Sequence, residues 1–133
     1  MASVIGAIRT HIVTAIETTS ITSCSDEYRT KRTVPPWAFI GWDTGDCLEA
    51  DPNGVLTTRY PFQVQVTGSS VEQVDLACEE ISILWYNAAR HEALRLLGGS
   101  MCYPINIYPP TGKEGSKDYQ GIIDMFVEIR RST

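Results

Sequence analysis

The chain has 133 residues, of which 43% are hydrophobic and 20% charged, and it carries a formal net charge of −5. These values are typical of one globular domain large enough to bury a hydrophobic core. The acidic balance disfavours a general nucleic-acid-binding protein, which needs a basic surface to neutralise phosphates. No apolar run approaches the ~20 residues that a helix needs to cross a bilayer.

The first predicted element is a helix that begins after Ser3 and ends near Glu17. Ser3 is a suitable N-cap, and one apolar face follows it at helical spacing. That face comprises Val4, Ile5, Ile8, Ile12 and Ile16. A core-packing helix is the simpler interpretation, and a helix that docks on a neighbouring subunit is the alternative.

A polar stretch follows from residue 18 to 34, and it contains a basic cluster of Arg29, Lys31 and Arg32. Asp26 and Glu27 lie beside this cluster. We interpret it as a solvated edge strand or loop rather than as a patch that faces phosphates.

Pro35 and Pro36 then favour an extended backbone, and the segment Trp37–Trp42 is dense in apolar residues. This density predicts a strand that is packed on both faces or whose second face meets a partner. Tryptophan is enriched at interfaces, so Trp37 and Trp42 are candidate contact residues.

Residues 43–58 are predicted to form a long acidic loop that contains Asp43, Asp46, Glu49 and Asp51. The spacing of these carboxylates does not fit an EF-hand, so no calcium site is predicted. Residues 52–54, Pro-Asn-Gly, indicate a tight turn, and Val55–Arg59 is expected to begin the next strand.

A strand and a capped helix form the centre of the chain. Apolar and polar residues alternate from Tyr60 to Thr67, and Gly68 ends that run. Ser69 or Ser70 can open a capping box, after which an apolar stripe recurs at spacings of three and four. We predict a break near Asn87 and a second short helix that ends before Gly98.

A long hairpin is predicted for residues 101–130. Met101, Tyr103, Ile105 and Ile107 alternate with Cys102, Pro104, Asn106 and Tyr108, and Pro104 favours an edge or a bulge. A polar loop over residues 109–117 carries Lys113, Glu114 and Lys117. In the last strand, the residues expected on one face are Ile123, Met125, Val127 and Ile129.

The sequence contains no motif for catalysis, phosphate binding or metal binding. The four cysteines are widely spaced and the chain has two histidines, so free thiols are expected and a zinc site is not. Cys78 lies on the apolar stripe and is expected in the core. Both histidines fall in predicted helices among ordinary polar neighbours. We therefore predict a protein that is not an enzyme and that uses no cofactor or metal.

The order of elements resembles that of the tail-terminator (tail-completion) proteins of long-tailed bacteriophages. Residues 59–66, Arg-Tyr-Pro-Phe-Gln-Val-Gln-Val, lead into residues 69–73, Ser-Ser-Val-Glu-Gln. This matches the aromatic-proline strand that runs into a helix after a turn in that family. The strand after Gly98-Gly99 and the closing strand over residues 121–130 are a second similarity.

The resemblance implies one α+β domain over residues 1–133, with a mostly antiparallel sheet and with an N-terminal helix and a long central helix on one face. It also implies a ring of six copies in the virion neck, assembled in the host cytoplasm. The ring would cap the tail tube, stop its polymerisation and join the head–tail connector protein. Its partners would be itself, the tail tube protein and the connector, with DNA passing through the channel without sequence-specific binding and no membrane contact.

We expect the two polar loops and the Trp37–Trp42 strand to carry the assembly contacts. The candidate residues are Trp37, Trp42, Asp43, Asp46, Glu49, Asp51, Lys113, Glu114 and Lys117. The alternatives are another phage neck or head-completion protein, a tail-tube protein, and a small-ligand-binding or enzymatic α+β domain.

Overall fold

A computed structural model describes residues 3–25, 34–52, 54–112 and 118–132. Its helices are α1 (Val4–Ile16), α2 (Val71–Ser82) and α3 (Ala88–Leu96), with a 3₁₀ turn at Leu84–Tyr86. Its strands are β1 (Ser23–Ser25), β2 (Trp37–Trp42), β3 (Asp46–Asp51), β4 (Val55–Gly68), β5 (Gly99–Gly112) and β6 (Tyr119–Ser132).

The six strands form one sheet in the order β1-β2-β4-β6-β5, and β3 also pairs with β4. β1 and β2 are parallel, while the other neighbouring strands are antiparallel. The predicted α+β fold with a mostly antiparallel sheet is confirmed. β1 and β5 are the two ends of the strand order, so they lie on opposite edges of the sheet.

Helices cover one face of the sheet, and the core lies between them and that face. Alternate residues of β4 and β6 point into the core, as the period-2 pattern predicts. Val64, Val66, Ile123, Met125 and Val127 have no solvent exposure. The helices contribute Ile8, Ile12, Ile16, Val74, Ala77 and Ile81.

α1 has the predicted boundaries, because Ser3 caps it and Glu17 ends it. The Ser3 hydroxyl accepts a hydrogen bond from the Gly6 amide at 3.0 Å. Ile8, Ile12, Ala15 and Ile16 are buried, so this face packs within the chain.

Residues 43–58 do not form the predicted long loop. β2 and β3 lie one after the other along β4, and the turn around Gly54 joins β3 to β4. Between the two strands, Trp42 pairs with Phe62 and Asp46 pairs with Arg59. β2–β3 therefore has one residue more than β4 over this interval, and a bulge lies within β3 between Cys47 and Glu49. Acidic residues have low strand propensity, and pairing with β4 overrides that preference here.

The helical stretch after Gly68 is divided, as predicted, although α2 ends earlier than Asn87. Ser70 caps α2 by accepting from the Gln73 amide at 3.1 Å, and Gln73 Oε1 accepts from the Ser69 amide at 2.7 Å. The 3₁₀ turn follows α2. Asn87 then caps α3 by accepting from the amides of Ala89 and Arg90.

The β5–β6 hairpin is longer than predicted, since β5 continues to Gly112 instead of entering a loop at Pro109. The predicted faces of β6 are confirmed. The predicted alternation of β5 is wrong, because bulges interrupt its register after Pro104 and after Tyr108. Tyr103 lies opposite Phe126 on one face, while Ile107 lies opposite Ile123 on the other.

Candidate assembly surfaces

The face of the sheet away from the helices, which we call the open face, carries a chain of side-chain hydrogen bonds. Gln120 Nε2 donates to Gln65 Oε1 at 3.3 Å, and Gln65 Nε2 donates to Gln63 Oε1 at 3.0 Å. Gln63 Nε2 in turn donates to Asp124 Oδ1 at 3.1 Å. A hydrogen bond from Tyr108 to Asp124 raises the pKa of the Tyr108 hydroxyl. The side chains at the centre of this face therefore hold one another in place.

An aromatic cluster lies farther along the open face. Arg59 Nη2 is 2.9 Å from Glu128 Oε1, and its guanidinium carbon is 4.3 Å from the centre of the Phe126 ring. Tyr103 contacts Phe126 edge-on, with ring centres 4.1 Å apart. Phe126 is only 3% exposed although it faces away from the helices. Arg59 and Tyr103 thus cover the Phe126 ring, and the Glu128 carboxylate pairs with the Arg59 guanidinium.

A shallow cleft of about 520 Å³ crosses the open face between β2 and β5. Gly41 and Pro61 line it together with Gln63, Asn106 and Asp124. Asp43, a predicted contact residue, also lines it and is exposed. The Asp43 amide donates to the Pro61 carbonyl at 3.0 Å, and its carboxylate accepts from the Thr44 amide at 2.7 Å.

The two predicted tryptophans lie on different faces of β2. Trp37 pairs with Thr67 and is half-buried on the open face. Trp42 lies on the helix side, where its ring is 4.7 Å from the Phe62 ring and 5.1 Å from the Arg9 guanidinium carbon. Trp42 therefore contacts α1 as well as β4.

The other predicted contact residues divide into two groups. The backbone of Asp46, Glu49 and Asp51 lies in β3, opposite Arg59, Thr57 and Val55 of β4. Lys113, Glu114 and Lys117 lie outside the described residues. The role of both groups stays a prediction.

The sequence did not identify the exposed apolar residues at the β5 edge. Ile105 is 54% exposed, Ile107 55% and Tyr108 46%. The signal in the sequence is the set of prolines around them, Pro104, Pro109 and Pro110, because proline in a strand favours an edge or a bulge. These side chains are unusual for a solvated surface since they are large, apolar and adjacent.

A groove of about 470 Å³ separates these residues from α2, and we call it the α2–β5 groove. Ile83 and Ile107 provide exposed apolar surface on its two sides. Asp75 and Glu79 line the helix side, one turn apart, and Cys78 is buried between them. The groove therefore combines an apolar floor with two exposed carboxylates.

A second cleft, of about 350 Å³, lies between the helical region and β5. Trp85, Tyr86, His91, Met101 and Tyr103 line it together with Cys102. Its lining is mainly aromatic and apolar, and Tyr86 is largely exposed. An apolar side chain or a small ring would fit such a cleft.

His11 is not surrounded by ordinary polar neighbours, contrary to the prediction. Its Nε2 atom accepts a hydrogen bond from Trp85 Nε1 at 3.4 Å, so α1 is joined to the 3₁₀ turn. Burial and the nearby Arg90 guanidinium lower the pKa of His11, which keeps the ring neutral and able to accept this bond.

The four cysteines form no disulfide, and Cys78 is in the core as predicted. Burial raises the pKa of Cys78 to about 11, and burial also raises the pKa of Cys102. Both sulfurs are therefore protonated at neutral pH. Within the described part of the chain, no group of three or more His, Cys, Asp or Glu residues is placed to hold a metal ion.

No model of a known protein family and no curated protein sequence matches this chain. Among the described residues, no helix has the length and apolar character that crossing a membrane requires.

Proposed function

We propose that this protein is a structural virion protein that forms a ring of six copies at the head-proximal end of a phage tail tube. The ring ends polymerisation of the tube and joins the tail to the head connector. Its action is geometric: one face of the ring matches the last layer of the tube, and the other face offers no surface to a further layer. No catalytic residue or cofactor takes part.

The exposed apolar edge at β5 is the observation that carries this proposal. Ile105, Ile107 and Tyr108 are each about half exposed on the last strand of an open sheet. Such an edge favours association in a protein that leaves it uncovered. A closed ring covers an edge of this kind in every copy, whereas an open chain of subunits leaves the edge of its terminal copy exposed.

The charge of the molecule also supports a channel through which DNA passes. The net charge is −5, and Arg59 on the open face is paired with Glu128. The middle of that face presents the amides of Gln63, Gln65 and Gln120 next to the Asp124 carboxylate. A surface of amides and carboxylates does not accumulate the phosphate contacts that retain DNA.

Negative-stain imaging of the purified protein at high concentration, together with mass from light scattering, tests the proposal. We expect six-fold rings with a central hole and a mass that rises with concentration toward six times that of one chain. Particles with another defined symmetry would favour a different neck or head-completion protein.

The small-ligand alternative has one observation in its favour, which is the aromatic cleft at Trp85, His91 and Tyr103. If the protein remains monomeric at high concentration and binds a small aromatic compound there, the tail-terminator proposal is wrong. Quenching of tryptophan fluorescence on titration, lost in a Tyr103→Ala variant, would identify that binding.

A further inference from the structure

The outer side of α2 presents large apolar residues next to acidic ones. Leu76 is 53% exposed and Ile83 is 58% exposed. These two residues are about two helical turns apart, so they lie on the same side of the helix. Asp75 and Glu79 are exposed beside them and line the α2–β5 groove. This part of the surface therefore offers both apolar contact and negative charge to whatever binds there.

The carboxylates at the groove differ from their neighbour Glu80 in having no partner. Glu80 accepts hydrogen bonds from the Ser20 amide at 3.2 Å and from the Ser20 hydroxyl at 2.8 Å. Within the described part of the chain, neither Asp75 nor Glu79 has an ion-pair partner. Like charges one turn apart on a helix repel each other, so a cation placed between them is favourable.

The floor of the groove adds no charge. Cys78 and Ser82 line it and are buried, and the Ser82 hydroxyl donates to the Cys78 carbonyl at 2.7 Å. On the strand side, Ile107 is 55% exposed and lies opposite Ile123, so it faces the helices. The groove thus has apolar walls at Ile83 and Ile107, and its charge is confined to the carboxylates of the helix side.

These features together determine the chemistry of a suitable ligand. A metal ion does not fit, because no group of three or more His, Cys, Asp or Glu residues is placed to hold one in the part of the chain that the structure describes. An anionic ligand is repelled by the two carboxylates. A small cation would leave Ile83 and Ile107 in contact with water, at a cost that burial against an apolar group removes. A lysine or arginine side chain next to a large apolar side chain satisfies both parts of the groove.

We propose that the α2–β5 groove binds a segment of a partner protein in which lysine or arginine lies beside large apolar residues. The apolar side chain packs between Ile83 and Ile107, and the cation lies between the carboxylates of Asp75 and Glu79. A groove of about 470 Å³ has room for a few side chains of such a segment. The inference goes beyond the proposed ring and does not rest on it, because the partner is a different protein.

Fluorescence anisotropy with a labelled synthetic peptide of lysine and leucine tests the proposal. Two control peptides have glutamate in place of every lysine or serine in place of every leucine. We expect the full-length wild-type protein to bind the lysine–leucine peptide more tightly than either control peptide. Binding should weaken as the salt concentration is raised, because salt screens the attraction between exposed charges.

Three variants of the protein locate the binding site. We expect Asp75→Asn/Glu79→Gln to lose affinity ~3–10-fold, the effect of two exposed ion pairs, and to lose most of the salt dependence. Ile83→Ser should also bind more weakly but keep the salt dependence, because it removes only apolar contact. The matched control, Glu17→Gln/Glu92→Gln, removes the same charge at exposed positions outside the groove and should bind like the wild type. Circular dichroism on each variant checks that the fold is kept.

The outcomes separate this inference from the proposed function. If the wild type does not prefer the lysine–leucine peptide, or if the control variant loses as much affinity as the groove variant, the inference is wrong. If Asp75→Asn/Glu79→Gln instead abolishes association of the protein with itself, a second copy occupies the groove and a partner protein does not. A wild type that is monomeric at all concentrations but binds the peptide as expected overturns the ring and leaves this inference standing.

Discussion

Gly121 is a residue at which α2 and β6 approach too closely for a side chain. A Cβ atom there would be 2.6 Å from Val74 Cγ1 and 2.9 Å from Cys78 Sγ. Both neighbours are buried in the core. The position of α2, and with it the helix side of the α2–β5 groove, therefore depends on this glycine.

We predict that Gly121→Ala lowers the free energy of unfolding by ~1–3 kcal/mol, the usual cost of overpacking a core. Gly41→Ala is the matched control, because a Cβ atom at Gly41 would meet only Phe39 at 3.9 Å. Urea denaturation of both variants at low protein concentration measures the difference. Equal stability of Gly121→Ala and Gly41→Ala would contradict the close packing of α2 on β6.

At the scale of elements, β6 and β5 differ in how their backbones are held. β6 pairs with β4 on one side and with β5 on the other, and its inward residues are buried. β5 pairs on one side only, and its bulges leave Ile105, Pro109 and Pro110 outside the regular register. A backbone amide of a strand exchanges with solvent only after its hydrogen bond to the neighbouring strand opens.

We predict that amides of β6 between Ile123 and Ile129 exchange most slowly with deuterium, and that amides between Ile105 and Tyr108 exchange much faster. Hydrogen–deuterium exchange by mass spectrometry at low protein concentration measures both segments. At high concentration, β5 should become more protected while β6 does not change, since association covers the edge. Equal protection of β5 and β6 in the dilute protein would show that the edge is not open.

At the scale of the whole molecule, folding and assembly are linked. A copy that binds its neighbours only when folded is stabilised by them, by ~2.7 kcal/mol when the partner concentration is 100 times the dissociation constant. The exposed apolar residues at the β5 edge contribute to that binding in our proposal. The stability of this protein should therefore depend on its concentration.

We predict that Tm rises by several degrees when the protein concentration is raised 100-fold, because ~1 kcal/mol corresponds to a few degrees in a domain of this size. An Ile105→Ser/Ile107→Ser variant, which lacks the exposed apolar groups of the β5 edge, should have a Tm that depends less on concentration. Differential scanning calorimetry over a concentration series checks both. A wild-type Tm that stays constant would mean that assembly does not stabilise the folded copy.

The sequence by itself determined the elements whose signals are local. Ser3 and Ser70 cap α1 and α2 as predicted, and the alternation in β6 identified its buried face. Caps and periodic patterns involve residues a few positions apart, so a single sequence contains them. The α+β fold with one helix-covered face was expected from the resemblance in the order of these elements.

The tertiary structure alone decided what depends on pairing between distant residues. β3 is a strand because β4 pairs with it, although its acidic sequence predicts a loop. The bulge at Ile105 moves Ile107 to the helix side, and only there do Ile107 and Ile83 form one groove with Asp75 and Glu79. Strand register is set by contacts far apart in the chain, and a shift of one residue exchanges the two faces. For that reason the candidate surface could not be read from the spacing of its residues.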